Sequence, residues 1–210
     1  MIDAFVFDIG NVLLRFDFGK AVARLEPLCD LKSNGRFLAP LEAVKNEYES
    51  GRRTRADFLK EAFRLLGYRG DEAGFVSAWE EIFEVNEPMV ELVEALHGRY
   101  PLYLLSNISD IHVDYILAQY PFFGRFTDAV YSYRVCCSKP DPAIYTVAAQ
   151  QFGVIPERTV FIDDLPANVA AAQGVGFRAV PYDFRRHDAL LGTLAEWGIT
   201  SQPGGPDGTI

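Results

Sequence analysis

Short apolar segments bounded by turn residues recur along the chain. Continuous apolar runs of this length are typical of strands that are buried on both faces, as in a parallel sheet. We therefore predict five strands, at Ala4–Phe7, Leu102–Leu105, Val130–Tyr133, Val160–Ile162 and Phe177–Pro181.

Helical patterns separate the later strands. Between Glu87 and His97, apolar residues from Met89 to Leu96 follow the spacing i, i+3, i+4 and i+7, and Asn86 is the predicted N-cap. Two more helices are predicted, over Asp110–Gln119 and after Asp141-Pro142. Strands that alternate with helices after residue 86 predict an α/β fold with a doubly wound parallel sheet.

The segment from Arg15 to Val85 has a different pattern, with no clear strand and several helices. Thr54 and Asp57 resemble a capping box that opens a helix over Phe58–Leu66, and Asp71 is the predicted cap of a further helix. We predict a catalytic core of residues 1–14 and 86–200 with a helical insertion at 15–85. The Gly/Pro-rich residues 201–210 are predicted to be a disordered tail.

Composition and charge limit the partners. The 210 residues include 20 Lys and Arg against 29 Asp and Glu, a formal charge of −9, which disfavours nucleic acid as a partner. No segment approaches the roughly 18 to 20 apolar residues of a membrane span, so no membrane partner is expected. Three cysteines without metal-ligand spacing indicate a reducing compartment, and we expect a soluble cytoplasmic protein.

Polar, reactive residues follow the predicted strands. They are Asp8, the pair Ser106-Asn107, the turn Ser138-Lys139, the pair Asp163-Asp164, and Asn168 one turn later. Each alone is explained as a cap or turn residue. In an open parallel sheet, however, ligands bind at the carboxyl ends of strands, and capping alone does not account for the whole set.

This set resembles the four motifs of the haloacid dehalogenase-like (HAD) hydrolase superfamily. The motifs match Phe7–Val12, Leu105–Asn107, Ser138–Pro140 and Phe161–Asp164, and the insertion resembles the helical-bundle cap of that superfamily. The Asp-Ile-Gly-Asn-Val version of the first motif and Glu49-Ser50-Gly51 resemble the branch that contains α-glucose-1-phosphate phosphatase. The resemblance covers nearly the whole chain apart from the tail and implies a Rossmann-like core.

The resemblance implies a phosphatase that hydrolyses small phosphorylated metabolites, sugar phosphates among them, through an aspartyl-phosphate on Asp8. Covalent attack by a carboxylate splits one difficult displacement into two steps. It also implies Mg²⁺ as cofactor, a cation that prefers hard oxygen ligands. The implied metal ligands are Asp8, the carbonyl of Gly10, Asp163 and Asp164, the last in either the inner or the outer shell.

Other residues have implied roles around the phosphoryl group. Ser106 and the backbone N–H of Asn107 would hold its oxygens at a helix N-terminus. Lys139 would place a positive charge between Asp8 and the phosphoryl group. Asn168 would orient a residue of the fourth motif or Lys139, and Asn11 would support the site.

Gly10 departs from the family pattern, because phosphatases of this superfamily usually have a general acid/base Asp there. Such a group is typically worth about 10² to 10⁴ in rate. Three outcomes are open: substrates with good leaving groups, a slow enzyme, or a protein that only binds phosphorylated ligands. We expect the first, since the other charged roles are retained.

Two alternatives to the phosphatase stay open. A 2-haloacid dehalogenase uses the same Asp nucleophile on carbon without metal, but it usually carries Tyr where this chain has Gly10, and its halide-holding Arg matches only Arg15 or Arg24 loosely. A catalytically weak phospho-ligand-binding protein is the non-enzyme alternative. A phospho-acceptor receiver domain is disfavoured, because its acidic pair comes first in the chain rather than last.

The remaining candidate residues are assigned structural roles. We expect Cys136 and Cys137 to pack at a strand end and the three histidines (His97, His112 and His187) to be exposed or to cap helices. Phe16, Trp79 and Phe83 could line a substrate pocket under the insertion, but at helical spacing we assign them to the core of the helical bundle.

Overall fold

The structure is a computed structural model that describes residues 1–32 and 36–200. The strands of this part of the chain are β1 (Ala4–Phe7), β2 (Leu14–Phe16), β3 (Phe83–Val85), β4 (Leu102–Ser106), β5 (Asp128–Tyr131), β6 (Thr159–Asp163) and β7 (Arg178–Pro181). Its helices are α1 (Phe18–Leu25), α2 (Glu42–Glu49), α3 (Arg55–Leu66), α4 (Glu72–Glu80), α5 (Glu87–Leu96), α6 (Asp110–Gln119), α7 (Ser132–Val135), α8 (Pro142–Phe152), α9 (Pro166–Val175) and α10 (His187–Glu196).

Five of the strands form one parallel sheet in the order β5-β4-β1-β6-β7. In its register Phe7 lies beside Leu104 of β4 and Ile162 of β6, so the three central strands end close together. The chain winds outward from β1 in both directions, which opens a crevice at the carboxyl end of β1. The predicted doubly wound α/β fold is confirmed.

The sheet is covered by helices on both faces because its strands are apolar on both sides. On one face, Phe5 and Phe7 pack with Leu92 of α5 and Ile116 of α6. On the other face, Val6 and other strand residues pack with Tyr145 of α8 and Val169 of α9. All of these side chains are buried, which explains why the strands read as continuous apolar runs.

A second hydrophobic core lies within the helical insertion. Phe58, Phe75 and Trp79 are almost fully buried there, together with Leu25 of α1. Ile111 of α6 also belongs to this cluster, so a helix of the α/β layer contributes a side chain to the packing of the helical layer.

The chain enters and leaves the helical insertion through a two-stranded antiparallel ribbon. β2 pairs with β3, with Arg15 opposite Glu84. The expectation that residues 15–85 contain no strand is therefore wrong at both ends. Three residues are too few to show the period-2 alternation by which a strand is recognised, and the pairing partner lies far along the chain.

The predicted caps have mixed outcomes. Thr54 accepts a hydrogen bond from Asp57 N, and Asp71 accepts one from Gly74 N, as predicted. Asn86 precedes α5, but its side chain does not cap that helix. Its amide instead donates to Val12 O (2.6 Å) and Tyr182 Oη (2.8 Å), which ties the start of α5 to the loop after β1.

Three further expectations concern β5, the tail at residues 201–210 and membrane-spanning helices. The predicted strand at Val130–Tyr133 is observed two residues earlier, and Ser132–Val135 is helical. The predicted tail at 201–210 lies outside the described residues. Among the residues that are described, no helix is both long and apolar enough to cross a membrane.

Candidate active site

Asp8 and Lys139 form an ion pair at the carboxyl end of β1. Lys139 Nζ lies 2.8 Å from Asp8 Oδ1 and 2.6 Å from Asp163 Oδ2, and the exposed fractions of the side chains of Lys139, Asp8 and Asp163 are 1%, 9% and 0%. The carboxylates of Asp8, after β1, and Asp163, at the end of β6, thus share the ammonium group of Lys139. A buried cation between two carboxylates offsets their mutual repulsion and the cost of removing them from water.

Asn107 holds the turn that carries Lys139. Its side-chain amide donates to Lys139 O (2.8 Å), and its Oδ1 accepts from Lys139 N (2.9 Å). This reciprocal pair fixes the backbone of the third motif against the end of β4. The sequence assigned only the backbone N–H of Asn107 a function, and the role of its side chain was missed.

Asp163 is held from several sides. Its Oδ1 accepts from Leu165 N and from Asn168 Nδ2, each at 2.9 Å, while its Oδ2 faces Lys139. Of the two partners that the sequence allowed for Asn168, the structure therefore shows the fourth-motif residue. Because both oxygens are engaged, Asp163 serves as a fixed anchor for the ammonium of Lys139.

Asp164 has a different environment. It is half-buried, its Oδ2 accepts from Asn11 Nδ2 at 3.1 Å, and it lines the cavity above Asp8. Asn11 adopts a left-handed backbone conformation (φ 54°), which is uncommon for a residue other than glycine. Burial raises the pKa of Asp164 above its ordinary value, and the hydrogen bond from Asn11 opposes this rise.

The three carboxylates form a cluster suited to a hard cation. One oxygen from each of Asp8, Asp163 and Asp164 lies within 4.8 Å of the others. Asp8 Oδ1 is buried and makes no hydrogen bond of good geometry, although the ammonium of Lys139 is near it. An unsatisfied buried oxygen beside two further carboxylates fits the oxygen-rich environment that Mg²⁺ prefers. Gly10 lines the same cavity.

Burial and mutual attraction together shift the pKa values of Asp8 and Lys139. Desolvation raises the pKa of Asp8 to about 6, against the lowering effects of Lys139 and the Ser106 hydroxyl. For Lys139, burial opposes the charge, but Asp8 and Asp163 outweigh it and raise the pKa of the ammonium. Lys139 is therefore charged at neutral pH, and Asp8 is the group whose ionisation responds to its surroundings.

A cavity of about 240 Å³ lies over these residues. Its floor comes from the strand ends and includes Asp8, Ser106, Asn107, Lys139 and Asp164, with Asn168 beside them. Its opposite wall comes from the helical insertion and its ribbon, and consists of Phe16, Phe18, Lys45, Glu49, Ile82 and Phe83. The structure therefore brings all the predicted site residues except Asp163 to the lining of one cavity between the two layers, and Asp163 lies directly behind Lys139.

The sequence of this chain is similar to those of known hydrolases. A family model described as haloacid dehalogenase-like hydrolase matches residues 2–176. The chain belongs to that family. It is 28% identical over 185 residues to D-ribitol-5-phosphate phosphatase of Bacteroides thetaiotaomicron, a match that covers 84% of this chain and 90% of the relative.

Solved structures of HAD proteins share the fold. A HAD family enzyme from Bacteroides thetaiotaomicron, in complex with magnesium and inorganic phosphate, superposes with a TM-score of 0.79 at 24% identity over 87% of this chain and 95% of that one. A HAD-like family hydrolase from Porphyromonas gingivalis gives a TM-score of 0.74 at 26% identity, over 92% and 98% of the two chains.

The aromatic wall of this HAD hydrolase corrects one sequence expectation. Trp79 is 1% exposed and belongs to the helical core, as expected. Phe16 and Phe83, in contrast, lie in the ribbon and line the cavity, and Phe83 also packs against the helical core. Helical spacing was misleading here because both residues belong to strands.

His112 is a further correction in this HAD hydrolase. It was expected to be exposed or to cap a helix, but it is buried within α6, its Nε2 lies 3.0 Å from Trp79 O, and it lines the cavity. His97 ends α5 at the surface, and His187 is partly buried beside Tyr182 Oη. The signal for His112 was its place one turn into the helix that follows Ser106-Asn107.

Lys45 and Glu49 are cavity residues that the sequence did not assign to the site. They form an i,i+4 ion pair of 2.8 Å on α2, and Glu49 lines a second pocket together with Ser138 and Lys139 of the third motif. Burial raises the pKa of Glu49, and Lys45 opposes this rise. The two predicted packing cysteines, Cys136 and Cys137, lie on the loop before Lys139, exposed and partly buried respectively.

Proposed function

We propose that this HAD hydrolase is a Mg²⁺-dependent phosphatase of small phosphate esters that acts through a phosphoryl-enzyme on Asp8. The observation that carries the proposal is the Asp8–Lys139 ion pair of 2.8 Å at the floor of the cavity, beside two further carboxylates. A nucleophilic carboxylate beside a fixed cation is the arrangement that attack on an anionic phosphoryl group requires.

Asp8 performs both covalent steps in this proposal. A carboxylate oxygen of Asp8 attacks phosphorus and forms an acyl phosphate, while the ester P–O bond breaks and its electron pair leaves with the alcohol oxygen, which takes a proton from water. Water then attacks the same phosphorus and gives up a proton to solvent, the Asp8–phosphate bond breaks, and inorganic phosphate and the free carboxylate are released. Each step replaces one P–O bond with another, so no redox partner is needed.

Lys139, Ser106 and Asn107 stabilise the charge that gathers on phosphorus. Lys139 is held by Asp163 and by the Asn107 side chain, so its ammonium is oriented before substrate binds. Preorganised charges in a site shielded from water cost no reorganisation during the reaction and contribute most of the rate enhancement. Ser106 and the backbone N–H of Asn107 hold the phosphoryl oxygens at the entry to α6.

The metal would be held by Asp8, Asp164 and the carbonyl of Gly10. Asp164 is preferred over Asp163 because it faces the cavity, whereas both oxygens of Asp163 already accept hydrogen bonds. When bound, Mg²⁺ neutralises part of the negative charge that the nucleophile and the phosphoryl group bring together. Asp163 then acts on the site through Lys139.

The cavity and the relatives indicate the substrate class. A space of about 240 Å³ beneath the helical insertion fits a small ester and disfavours macromolecular substrates. D-Ribitol-5-phosphate phosphatase is among the relatives, which supports a sugar or polyol phosphate. We further propose that residues 15–85 act as a cap that excludes water during the chemical step, with residues 1–14 and 86–200 as the catalytic core.

Phosphate release tests the proposal. 4-Nitrophenyl phosphate and a panel of sugar and polyol phosphates are assayed with Mg²⁺ and with chelator, using wild type, Asp8→Asn and the exposed control Asp114→Asn. We expect metal-dependent release in wild type and in the control, and a loss of at least about 10³-fold in Asp8→Asn, since a nucleophile has no substitute.

Near-normal turnover in Asp8→Asn would contradict the covalent mechanism. Phosphate release that persists in the presence of chelator would contradict the proposed dependence on Mg²⁺. Chloride release from 2-chloropropionate without phosphate release would identify a dehalogenase instead, and binding of inorganic phosphate without turnover would identify a binding protein.

A further inference from the structure

His112 occupies a position between the phosphate-binding loop and the helical insertion. It is the third residue of α6, the helix that begins just after Ser106-Asn107, and it is 4% exposed. Its ring stacks parallel to Trp79 with centroids 6.2 Å apart and meets the edge of Phe83 at 5.1 Å. The ring is thus fixed in orientation by side chains of the insertion.

One hydrogen bond determines which nitrogen of His112 carries the proton. Nε2 lies 3.0 Å from Trp79 O, and since a carbonyl oxygen only accepts, Nε2 is the donor. Nδ1 of the neutral ring is then an acceptor. Burial lowers the pKa of His112 to about 4, so the ring is neutral at pH 7 and this tautomer persists.

Nδ1 has access to the cavity. Among the described residues it has no hydrogen-bond partner, yet it is not one of the fully buried atoms that lack one. Since His112 is 4% exposed and lines the cavity, we infer that a molecule in the cavity reaches this nitrogen. The aromatic side chains near it, Phe18 and Phe83, offer no donor. The ammonium of Lys45 in the same cavity is paired with Glu49 at 2.8 Å, which leaves water or a ligand as the donor for Nδ1.

These properties exclude one role for His112 and favour another. The one N–H of its neutral ring is committed to Trp79 O, so the ring cannot donate a proton to a leaving alcohol and does not replace the acid absent at Gly10. It lies next to the loop that would hold the phosphoryl group, so the substrate atoms it meets are those of the alcohol portion. An acceptor fixed at that place matches a hydroxyl hydrogen.

We propose that His112 is a specificity-determining residue whose Nδ1 accepts a hydrogen bond from a hydroxyl group on the alcohol portion of the substrate. The inference rests on the proposed phosphatase function and adds to it a preference for polyhydroxylated phosphate esters. A site built to pair with a substrate hydroxyl discriminates against analogues that lack it, because its own polar group is then left unpaired.

Two matched substitutions separate substrate recognition from structure. His112→Gln retains an N–H at the place of Nε2 for Trp79 O but lacks an acceptor at the place of Nδ1. His112→Asn retains a polar atom at the place of Nδ1 but loses the bond to Trp79. Both are assayed on 4-nitrophenyl phosphate, whose leaving group carries no further hydroxyl, and on the best substrate from the sugar and polyol phosphate panel.

The readout is the ratio of kcat/KM for the hydroxylated ester to kcat/KM for 4-nitrophenyl phosphate. We expect His112→Gln to lower this ratio about tenfold through KM, the usual scale for one lost hydrogen bond, and His112→Asn to lower it less. Activity on 4-nitrophenyl phosphate stays near that of wild type in His112→Gln.

Other outcomes overturn the inference in distinguishable ways. An unchanged ratio in His112→Gln, or equal losses on both substrates, would show a purely structural role while the phosphatase assignment stands. The inference also fails if wild type hydrolyses the aryl ester but none of the hydroxylated panel. Absence of phosphate release from every ester, by a folded wild-type protein, would overturn the phosphatase and the inference together.

Discussion

Lys139 Nζ lies 2.6 Å from Asp163 Oδ2 in a region where both side chains are almost completely shielded from solvent. Asp163 is itself fixed by Leu165 N and Asn168 Nδ2. The ammonium that faces Asp8 is therefore positioned by a carboxylate that does not line the cavity. The site consists of a reactive carboxylate, a cation, and a separate anchor that holds the cation in place.

Removal of Lys139 should destabilise the fold strongly. Lys139→Met leaves Asp8 and Asp163 buried without their shared cation, and we expect the free energy of unfolding to fall by about 3 to 5 kcal/mol. The matched control is Lys20→Met, which breaks an ion pair with Glu84 whose side chains are 39% and 52% exposed. We expect this control to leave the free energy of unfolding almost unchanged, because solvent screens an exposed pair. Urea unfolding at pH 7 without metal measures both, and equal losses would contradict the role of burial.

Addition of Mg²⁺ should stabilise the protein through the acidic cluster. A ligand at 100 times its Kd stabilises the native state by about 2.7 kcal/mol, so Tm should rise with Mg²⁺ concentration. Asp164→Asn removes a proposed ligand that faces the cavity and should abolish most of that rise, whereas the exposed Asp114→Asn should retain it. If Mg²⁺ raises the Tm of Asp164→Asn as much as that of wild type, Asp164 is not a ligand of the metal.

An acid at Gly10 is accommodated best together with a change at Phe16. A Cβ at Gly10 would lie 3.1 Å from Phe16 Cε1, so the ring occupies the space that a longer side chain needs. We expect Gly10→Asp with Phe16→Leu to raise kcat/KM on esters of poor leaving groups, up to the factor of about 10² to 10⁴ typical of general acid catalysis, and Gly10→Asp alone to gain less.

The control for this experiment is Gly10→Asn with Phe16→Leu, which has the same shape but no ionisable proton. A series of aryl phosphates with leaving groups of increasing pKa provides the measurement. If the Asp and Asn variants show the same dependence on the leaving group, the gap at Gly10 is compensated elsewhere in the site.

Acid should weaken the fold through His112. Burial lowers its pKa to about 4 in the folded state, below the ordinary value of 6.5, while Asp110 raises it and Lys45 lowers it further. Between these values the unfolded chain binds a proton that the folded chain does not, so stability is lost as the pH falls from 6.5 towards 4. At pH 5 we expect a cost of about 2 kcal/mol relative to pH 7.

His112→Gln removes this titrating group and isolates its contribution. The difference in unfolding free energy between pH 7 and pH 5, measured by urea denaturation, should be about 2 kcal/mol smaller in the variant than in wild type. His187→Gln, at a partly buried histidine away from the cavity, should reduce that difference less. A variant with the same pH dependence as wild type would show that His112 is protonated in the folded state at pH 5.

The sequence was sufficient to predict the sheet and the polar residues at its edge. Apolar runs identify β1, β4 and β6 because strands buried on both faces exclude polar residues. The same rule makes Asp8 and Asp163 conspicuous where those strands end. Their order along the chain, with Ser106 and Lys139 between them, established the resemblance to the HAD superfamily without knowledge of any contact.

Tertiary structure determined the features that depend on residues distant in the chain. The ribbon of β2 and β3 was missed because each strand is three residues long and pairs with a segment on the far side of the insertion. Asn86 looked like a cap, but its amide binds Val12 O and Tyr182 Oη, partners that only the fold brings near.

The same limit applies within the site. The sequence indicated that Asp163 and Asp164 were both candidate ligands, but adjacent residues differ in orientation, and only the fold shows that Asp164 faces the cavity while Asp163 anchors Lys139. The part His112 plays depends on the carbonyl of Trp79 in another layer. Local pattern thus determined which residue types lie at the sheet edge, whereas packing between the layers decided which atoms each of them meets.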